Sequence, residues 1–146
     1  MPQVHADRRA RAQQMVRDIG ADAVLVTARQ NVRYLTGLAS SNAALLLPAD
    51  GDALLATDSR YALAAERDAP DLELLTERFI EGKLVTEAAR RGVAVLAFEA
   101  QEMTVERHAV MTRDSGVTTV PFGRKIEELR MVKDAEELSC WRPRAG

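Results

Sequence analysis

The residues able to do acid–base, nucleophilic or metal chemistry are few in this chain and poorly grouped. Of its two histidines, His5 lies at the N-terminal end. His108 falls in a stretch that reads as helix, with Thr104 one turn before it and Thr112 one turn after. Neither belongs to an H-x-x-x-H, H-E-x-x-H or C-x-x-C spacing, and a metal site needs partners at set spacing. His108 is therefore read as a surface or boundary helix residue. Carboxylates are abundant, with Asp+Glu 22, so nearness in sequence selects none of them. Asp50 and Asp52 flank Gly51, and turn chemistry accounts for both. Asp58 and Glu99 each follow a predicted strand, where catalytic acids often sit; capping of the next helix explains Asp58 equally well. No G-x-S-x-G elbow is present. Ser40 and Ser41 lie in a loop with no histidine nearby in sequence. The single cysteine, Cys140, excludes an internal disulfide framework. Neither G-x-G-x-x-G nor a Walker loop occurs, so nucleotide binding has no support.

A nuclease would need several acids converging on Mg²⁺ and a basic surface for phosphates. The net charge of −2 opposes that reading, and nothing in the balance attracts nucleic acid or anionic lipid. Apolar residues at 47% and charged residues at 29% suit one domain with a real core. The longest apolar runs, such as Ala43 to Leu47, are too short to span a bilayer. The first residues carry no apolar segment of the secretory type. A cytoplasmic setting is expected, with no nucleic-acid or membrane partner.

The elements that must position these residues follow from periodicity. Residues 5–19 read as an amphipathic helix with Ala12, Met15, Val16 and Ile19 on one face and the arginines on the rest. Gly20 is its expected stop. Residues 23–27 form a short apolar run typical of a strand buried on both faces. A short helix or turn spans Asn31 to Leu35 and ends at Gly37. Residues 43–47 and 53–57 flank an Asp50–Gly51 turn and read as an antiparallel hairpin. A helix from Arg60 to Arg67 follows, then a strand over 72–76 and a helix over 79–91 closed by Gly92. A strand over 93–98, a helix from the Thr104 cap to Ser115 with Gly116 after it, and a strand over 117–120 complete the pattern. A charged helix begins at Glu127 and runs toward Ser139. No repeat, low-complexity tract or interior linker interrupts the chain. The expectation is an α/β domain with a mixed, roughly six-stranded sheet flanked by helices.

Three segments carry a resemblance. The first is Asn31, Val32, Arg33, Tyr34, Leu35, Thr36, Gly37. The second is Thr57, Asp58, Ser59, Arg60, Tyr61, and the third runs from Glu127 through Leu129, Arg130 and Met131 to Asp134, with Glu136 and Glu137 beyond. In this order and spacing the chain, over roughly residues 7–139, resembles the N-terminal domain of the creatinase, prolidase and Xaa-Pro aminopeptidase family. The resemblance implies a ribonuclease-H-like fold, placed before a "pita-bread" catalytic domain that holds two divalent metals with two Asp, one His and two Glu.

By this reading residues 1–139 are that N-terminal domain, 127–139 begin the connecting helix, and 140–146 form an atypical tail. The metal-binding domain would follow where this chain stops. The chain is then non-catalytic and inactive as a peptidase alone, with no cofactor of its own. Its expected partners are its own catalytic domain, a second subunit and, in the whole enzyme, a peptide substrate. Creatine-like substrates stay open. In the family, the loop after the Thr–Gly pair can reach the neighbouring subunit's active site. Ser40, Ser41 and Asn42 are accordingly the candidate substrate loop. Asn31, Tyr34, Gly37, Asp58, Arg60 and Tyr61 take structural roles: Tyr34 packs a sheet end, Gly37 supplies a positive φ, and Arg60 and Tyr61 cover the sheet with stem and ring. The alternative is a free-standing α/β binding or interaction module.

Overall fold

The computed structural model describes residues 2–113 and 115–131. Predicted features beyond Met131, including the helix toward Ser139, Lys133 to Glu137 and the Cys140 tail, lie outside the described residues.

Six strands form one mixed sheet in the order β4-β3-β2-β1-β5-β6. Strand β1 (Ala23–Val26) is buried along its whole length, as its unbroken apolar run requires. It pairs antiparallel with β2 (Ala43–Pro48) and parallel with β5 (Val95–Phe98). Strand β2 turns back through Gly51 into β3 (Leu54–Thr57), and that hairpin is antiparallel as predicted. Strands β4 (Glu73–Thr76) and β6 (Thr118–Pro121) extend the two edges in parallel fashion.

The alternation of side chains sorts the core into two layers. Val24, Val26, Leu45, Leu47 and Leu55 face one side, packed with Ala12 and Val16 of α1 (Pro2–Asp18), Val32 and Leu35 of α2 (Arg29–Thr36), Ala65 of α3 (Ala62–Asp68), and Ile126 and Leu129 of α6 (Lys125–Met131). Ala23, Leu25, Leu46, Leu54 and Leu96 face the other side. They pack against Ile80, Leu84, Val85 and Ala88 of α4 (Ile80–Arg90), beside Met111 of α5 (Val105–Thr112).

Three local expectations change. The helix predicted from Thr104 to Ser115 keeps its cap, since the Thr104 hydroxyl accepts from the Arg107 amide at 3.0 Å. It stops at Thr112, because Arg113 turns to φ −57 and ψ 126. The helix predicted from Arg60 opens instead as a 3₁₀ turn over Ser59–Tyr61. There the Tyr61 amide donates to the Asp58 carbonyl at 3.1 Å. The arginines of α1 are not all on a solvated face. Arg8 and Arg9 are buried, and they donate to the carbonyls of Tyr34 and Leu35 at 3.1 and 2.8 Å. Two cations thus seal the last turn of α2, where carbonyls lack helical partners. Arg9 also pairs with Asp71.

Candidate functional site

Strand register brings the first two family-motif segments and Glu99 to one end of the sheet. Val26 lies opposite Leu45, Ala43 opposite Thr57, and Leu25 beside Phe98. The end of β1, the start of β2, the end of β3 and the end of β5 therefore share an edge, and two polar clusters sit there.

The first cluster is the loop 38–42 against the corner 57–61. Ser40 is buried, and its hydroxyl accepts from the Asn42 amide at 3.0 Å and lies 3.4 Å from the Thr57 hydroxyl. Thr57, also buried, donates to the Asn42 carbonyl at 2.7 Å. The Asn42 side chain donates to one Asp58 oxygen at 2.8 Å, and the same carboxylate accepts from Arg60 Nη2 at 2.7 Å and from the Arg60 amide at 2.9 Å. Ser41 is exposed, and its hydroxyl meets the Tyr61 hydroxyl at 2.8 Å. Hydrogen bonds from Arg60 first, then Asn42, hold the Asp58 carboxyl far below the usual carboxylate range. The Ser41 bond lowers the Tyr61 phenol. Every polar side chain of the loop is thus tied to the corner, while Ser41 and Arg60 still face solvent.

Two sequence expectations are refined here. Asp58 does cap the turn that follows it, as its sequence position suggested. Arg60 does not cover the sheet. Its side chain is 70% exposed, pairs with Asp58, and sets its guanidinium carbon 5.4 Å from the Tyr61 ring centroid.

The second cluster ties the start of α2 to α6. Glu99 is 0% exposed. One of its oxygens accepts from the amides of Thr27 and Ala28 at 2.8 and 2.9 Å; the other accepts from Asn31 Nδ2 at 2.5 Å. The same Asn31 nitrogen donates to Glu127, and the Asn31 oxygen accepts from Arg130 at 3.1 Å. Gln101 donates to the second Glu127 oxygen at 3.1 Å. Tyr34 completes the link with its hydroxyl on the Leu129 carbonyl at 3.2 Å, and the Arg8 guanidinium stacks over its ring at 4.3 Å. Burial pushes the Glu99 carboxyl up, against the lowering effect of its amide donors.

Asn31 ties α6 to Glu99 at the end of β5, and Tyr34 ties α6 to α2. Gly37 has φ 86, and a Cβ there would lie 2.8 Å from His5 Cε1. Sequence reasoning noted Glu99 only as an acid after a strand and passed over Gln101. Their partners lie tens of residues away, and no local pattern joins them.

His108 is half-buried on α5, with Nε2 2.9 Å from the Thr119 hydroxyl and its ring 4.7 Å from that of Phe98. That is the boundary position expected of it. Among the described residues no three His, Cys, Asp or Glu side chains are grouped to hold a metal ion. No helix among these residues is long and apolar enough to cross a membrane.

Comparison with known proteins agrees with this geometry. An uncharacterized peptidase of Bacillus subtilis, YqhT, is 30% identical over 125 residues, which cover 82% of this chain and 34% of that protein. The chain thus spans about a third of the length of that curated relative. The crystal structure of the N-terminal domain of the cytoplasmic peptidase PepQ from Mycobacterium tuberculosis superposes with a TM-score of 0.81. The two are 38% identical, over 85% of this chain and 98% of that one. A crystal structure of a Xaa-Pro aminopeptidase from Streptococcus pyogenes superposes with a TM-score of 0.80 at 26% identity, over 89% and 100% of the two chains. Residues 8–132 match the family described as the Creatinase/Prolidase N-terminal domain. The chain belongs to that family.

Proposed function

We propose that this domain does no chemistry itself and instead builds one wall of a substrate site, in a dimeric metallopeptidase that acts next to proline. The observation that carries the reading is the loop 38–42. Its backbone and side chains are held by Thr57, Asp58 and Tyr61, yet Ser41 and Arg60 stay exposed. A loop fixed in advance loses little entropy when it meets a ligand, so its hydrogen bonds go into recognition. Ser40, turned inward, sets the loop; Ser41 and Asn42 are the residues placed to bond a peptide end. The bolt of Asn31, Glu99 and Glu127 on α6 fixes the direction in which the chain leaves the domain. A catalytic domain that follows would supply two divalent metals and their ligands, in a cytoplasmic enzyme.

The test is kinetic. The domain is fused to the catalytic domain of a Xaa-Pro peptidase relative, and Ser41 and Asn42 are changed to alanine. The expected result is a fall in kcat/KM corresponding to roughly 0.5–3 kcal/mol, with an unchanged melting temperature. Unchanged kinetics in a dimeric fusion would refute the substrate-wall reading and favour a free-standing interaction module.

A further inference from the structure

A pocket of about 430 Å³ opens where α1, α2 and α6 meet. Its walls carry His5 and Arg8 from α1, Gln30, Arg33 and Tyr34 from α2, and Arg130 from α6. No Asp or Glu side chain is among the described residues that line it. Three permanent cations and a histidine thus converge in a chain whose net charge is −2. Like charges gathered from three helices repel one another, and an anion seated between them relieves that repulsion.

The internal contacts of these cations leave donors over. Arg8 is fixed in the wall by the Tyr34 carbonyl at 3.1 Å and by the Tyr34 ring at 4.3 Å. Arg130 gives one nitrogen to the Asn31 oxygen at 3.1 Å, and a guanidinium has more donors than that bond uses. Glu127, on the same helix, is held by Asn31 and Gln101 instead of by Arg130. Arg33 is exposed, and its side chain makes no hydrogen bond or ion pair among the described residues.

His5 adds an orphan. Its Nδ1 is closed to solvent and has no hydrogen-bond partner among the described residues. Gly37 admits the imidazole to this place, since a Cβ there would lie 2.8 Å from Cε1 and 3.3 Å from Nδ1. Buried polar atoms are almost always satisfied, so an orphan beside a cluster of cations points to a partner from outside.

We propose that this pocket binds a phosphoryl group carried on a small molecule. Arg33 and Arg130 offer two guanidinium forks, whose geometry matches phosphate oxygens two at a time. Arg8, held beside them, adds a third positive charge. A phosphate monoester carries roughly two negative charges at neutral pH, whereas a carboxylate carries one and leaves more of the repulsion standing. The pocket has the size of a small-molecule site and is larger than one phosphoryl group, so an organic body fills the rest beside Gln30 and Tyr34. The site shares no side chain with the proposed substrate loop, so the two readings fail separately.

Nuclear magnetic resonance titration of the whole chain with phenyl phosphate tests it. The expected result is a saturable shift centred on His5, Arg33, Tyr34 and Gly37, with Kd of about 1 mM or tighter. Inorganic phosphate, which leaves the rest of the pocket empty, is expected to bind more weakly, and benzoate about tenfold more weakly. Arg33→Gln and Arg130→Gln are each expected to weaken phenyl phosphate by about tenfold. If one of the two does not fold, the other decides. Arg90→Gln removes the same charge from α4, where Arg90 pairs with Glu87, and should leave binding unchanged. No saturable shift up to about 20 mM phenyl phosphate overturns the proposal. So does binding that Arg90→Gln weakens as much as Arg33→Gln, which is attraction to net charge alone. Benzoate or inorganic phosphate binding as tightly as phenyl phosphate overturns the assignment of the ligand.

Discussion

The side-chain amide of Asn31 stands 2.5 Å from the carboxylate of Glu99, fully out of water at the end of β5. A buried carboxylate is tolerated only when its oxygens are satisfied, and here two backbone amides and one side-chain amide satisfy them. Because Asn31 also holds Glu127 and Arg130, this contact joins the sheet to α6.

Replacing Asn31 by alanine should lower stability by about 1–3 kcal/mol, since it leaves Glu99 one donor short and frees Glu127. Asn31→Asp should cost more, about 3–5 kcal/mol, because a third carboxylate would join two others with little water to screen them. Urea unfolding of both variants measures the order. An Asn31→Asp protein as stable as Asn31→Ala would contradict this account of the network.

Glu99 also sets a pH dependence. Burial raises its native carboxyl above the ordinary value of 4.5. Between that value and the raised one, the native state binds more protons than the unfolded state, so this group's contribution to stability falls as pH rises. Asp58 and Asp22 act in the opposite sense. Their carboxyls are lowered from 3.8, so their contribution is present above that value and is lost only as pH falls through the lowered ones. Denaturation of wild type and Glu99→Gln from pH 4.5 to pH 7 should show Glu99→Gln losing more stability at the acid end than near neutrality. A constant gap across the range would show that Glu99 does not titrate there.

How much of this was legible beforehand depends on the range of the interaction. The apolar run of β1, the Asp50–Gly51 turn, the Thr104 cap and the Asp58 cap were readable, because each is decided by residues within a few positions. The bolt was not, because Asn31 and Glu99 are 68 positions apart and only the parallel pairing of β1 with β5 brings them together. The burial of Arg8 and Arg9 was hidden for the same reason. An arginine opposite an apolar helix stripe reads as solvated until the end of another helix is found against it. The loop residues Ser40, Ser41 and Asn42 were identifiable as a polar group. That Ser40 points inward while Ser41 faces out follows from the Thr57 and Tyr61 contacts, which span 17 and 20 positions.

Gly37 and Gly20 form a natural comparison. Both have positive φ, at 86° and 75°. A Cβ at Gly20 would meet nothing within 4 Å, whereas one at Gly37 would lie 2.8 Å from His5 Cε1 and 3.2 Å from the Asp68 carbonyl. Gly20→Ala should therefore cost only the left-handed backbone penalty, about 1–2 kcal/mol. Gly37→Ala should cost that and a clash besides. His5→Ala added to Gly37→Ala should recover part of the difference, because the imidazole is one of the two obstacles and the backbone carbonyl remains. Melting temperatures of the four proteins decide it, and equal losses at the two glycines would refute the steric part.

The last expectation concerns the loop that carries the proposed function. Asp58 links Asn42 to Arg60, and Tyr61 links to Ser41, so the loop should loosen when either link is cut. Asp58→Ala removes the acceptor for the Asn42 side chain and for the Arg60 amide, and should speed amide hydrogen exchange across residues 38–42. Tyr61→Phe removes one hydroxyl and should speed it less, with the change centred on Ser41. Leu63→Ser is the control: its side chain is exposed on α3 and touches neither link, so exchange in the loop should not change. The core strands β1 and β2 should keep their protection in all three variants, because local opening of a surface loop does not require global unfolding. Exchange that speeds equally in the loop and in β1 would mean that the corner supports the whole fold. Exchange unchanged in Asp58→Ala would mean that the loop holds its shape without the corner, and the preorganised wall would lose its physical basis.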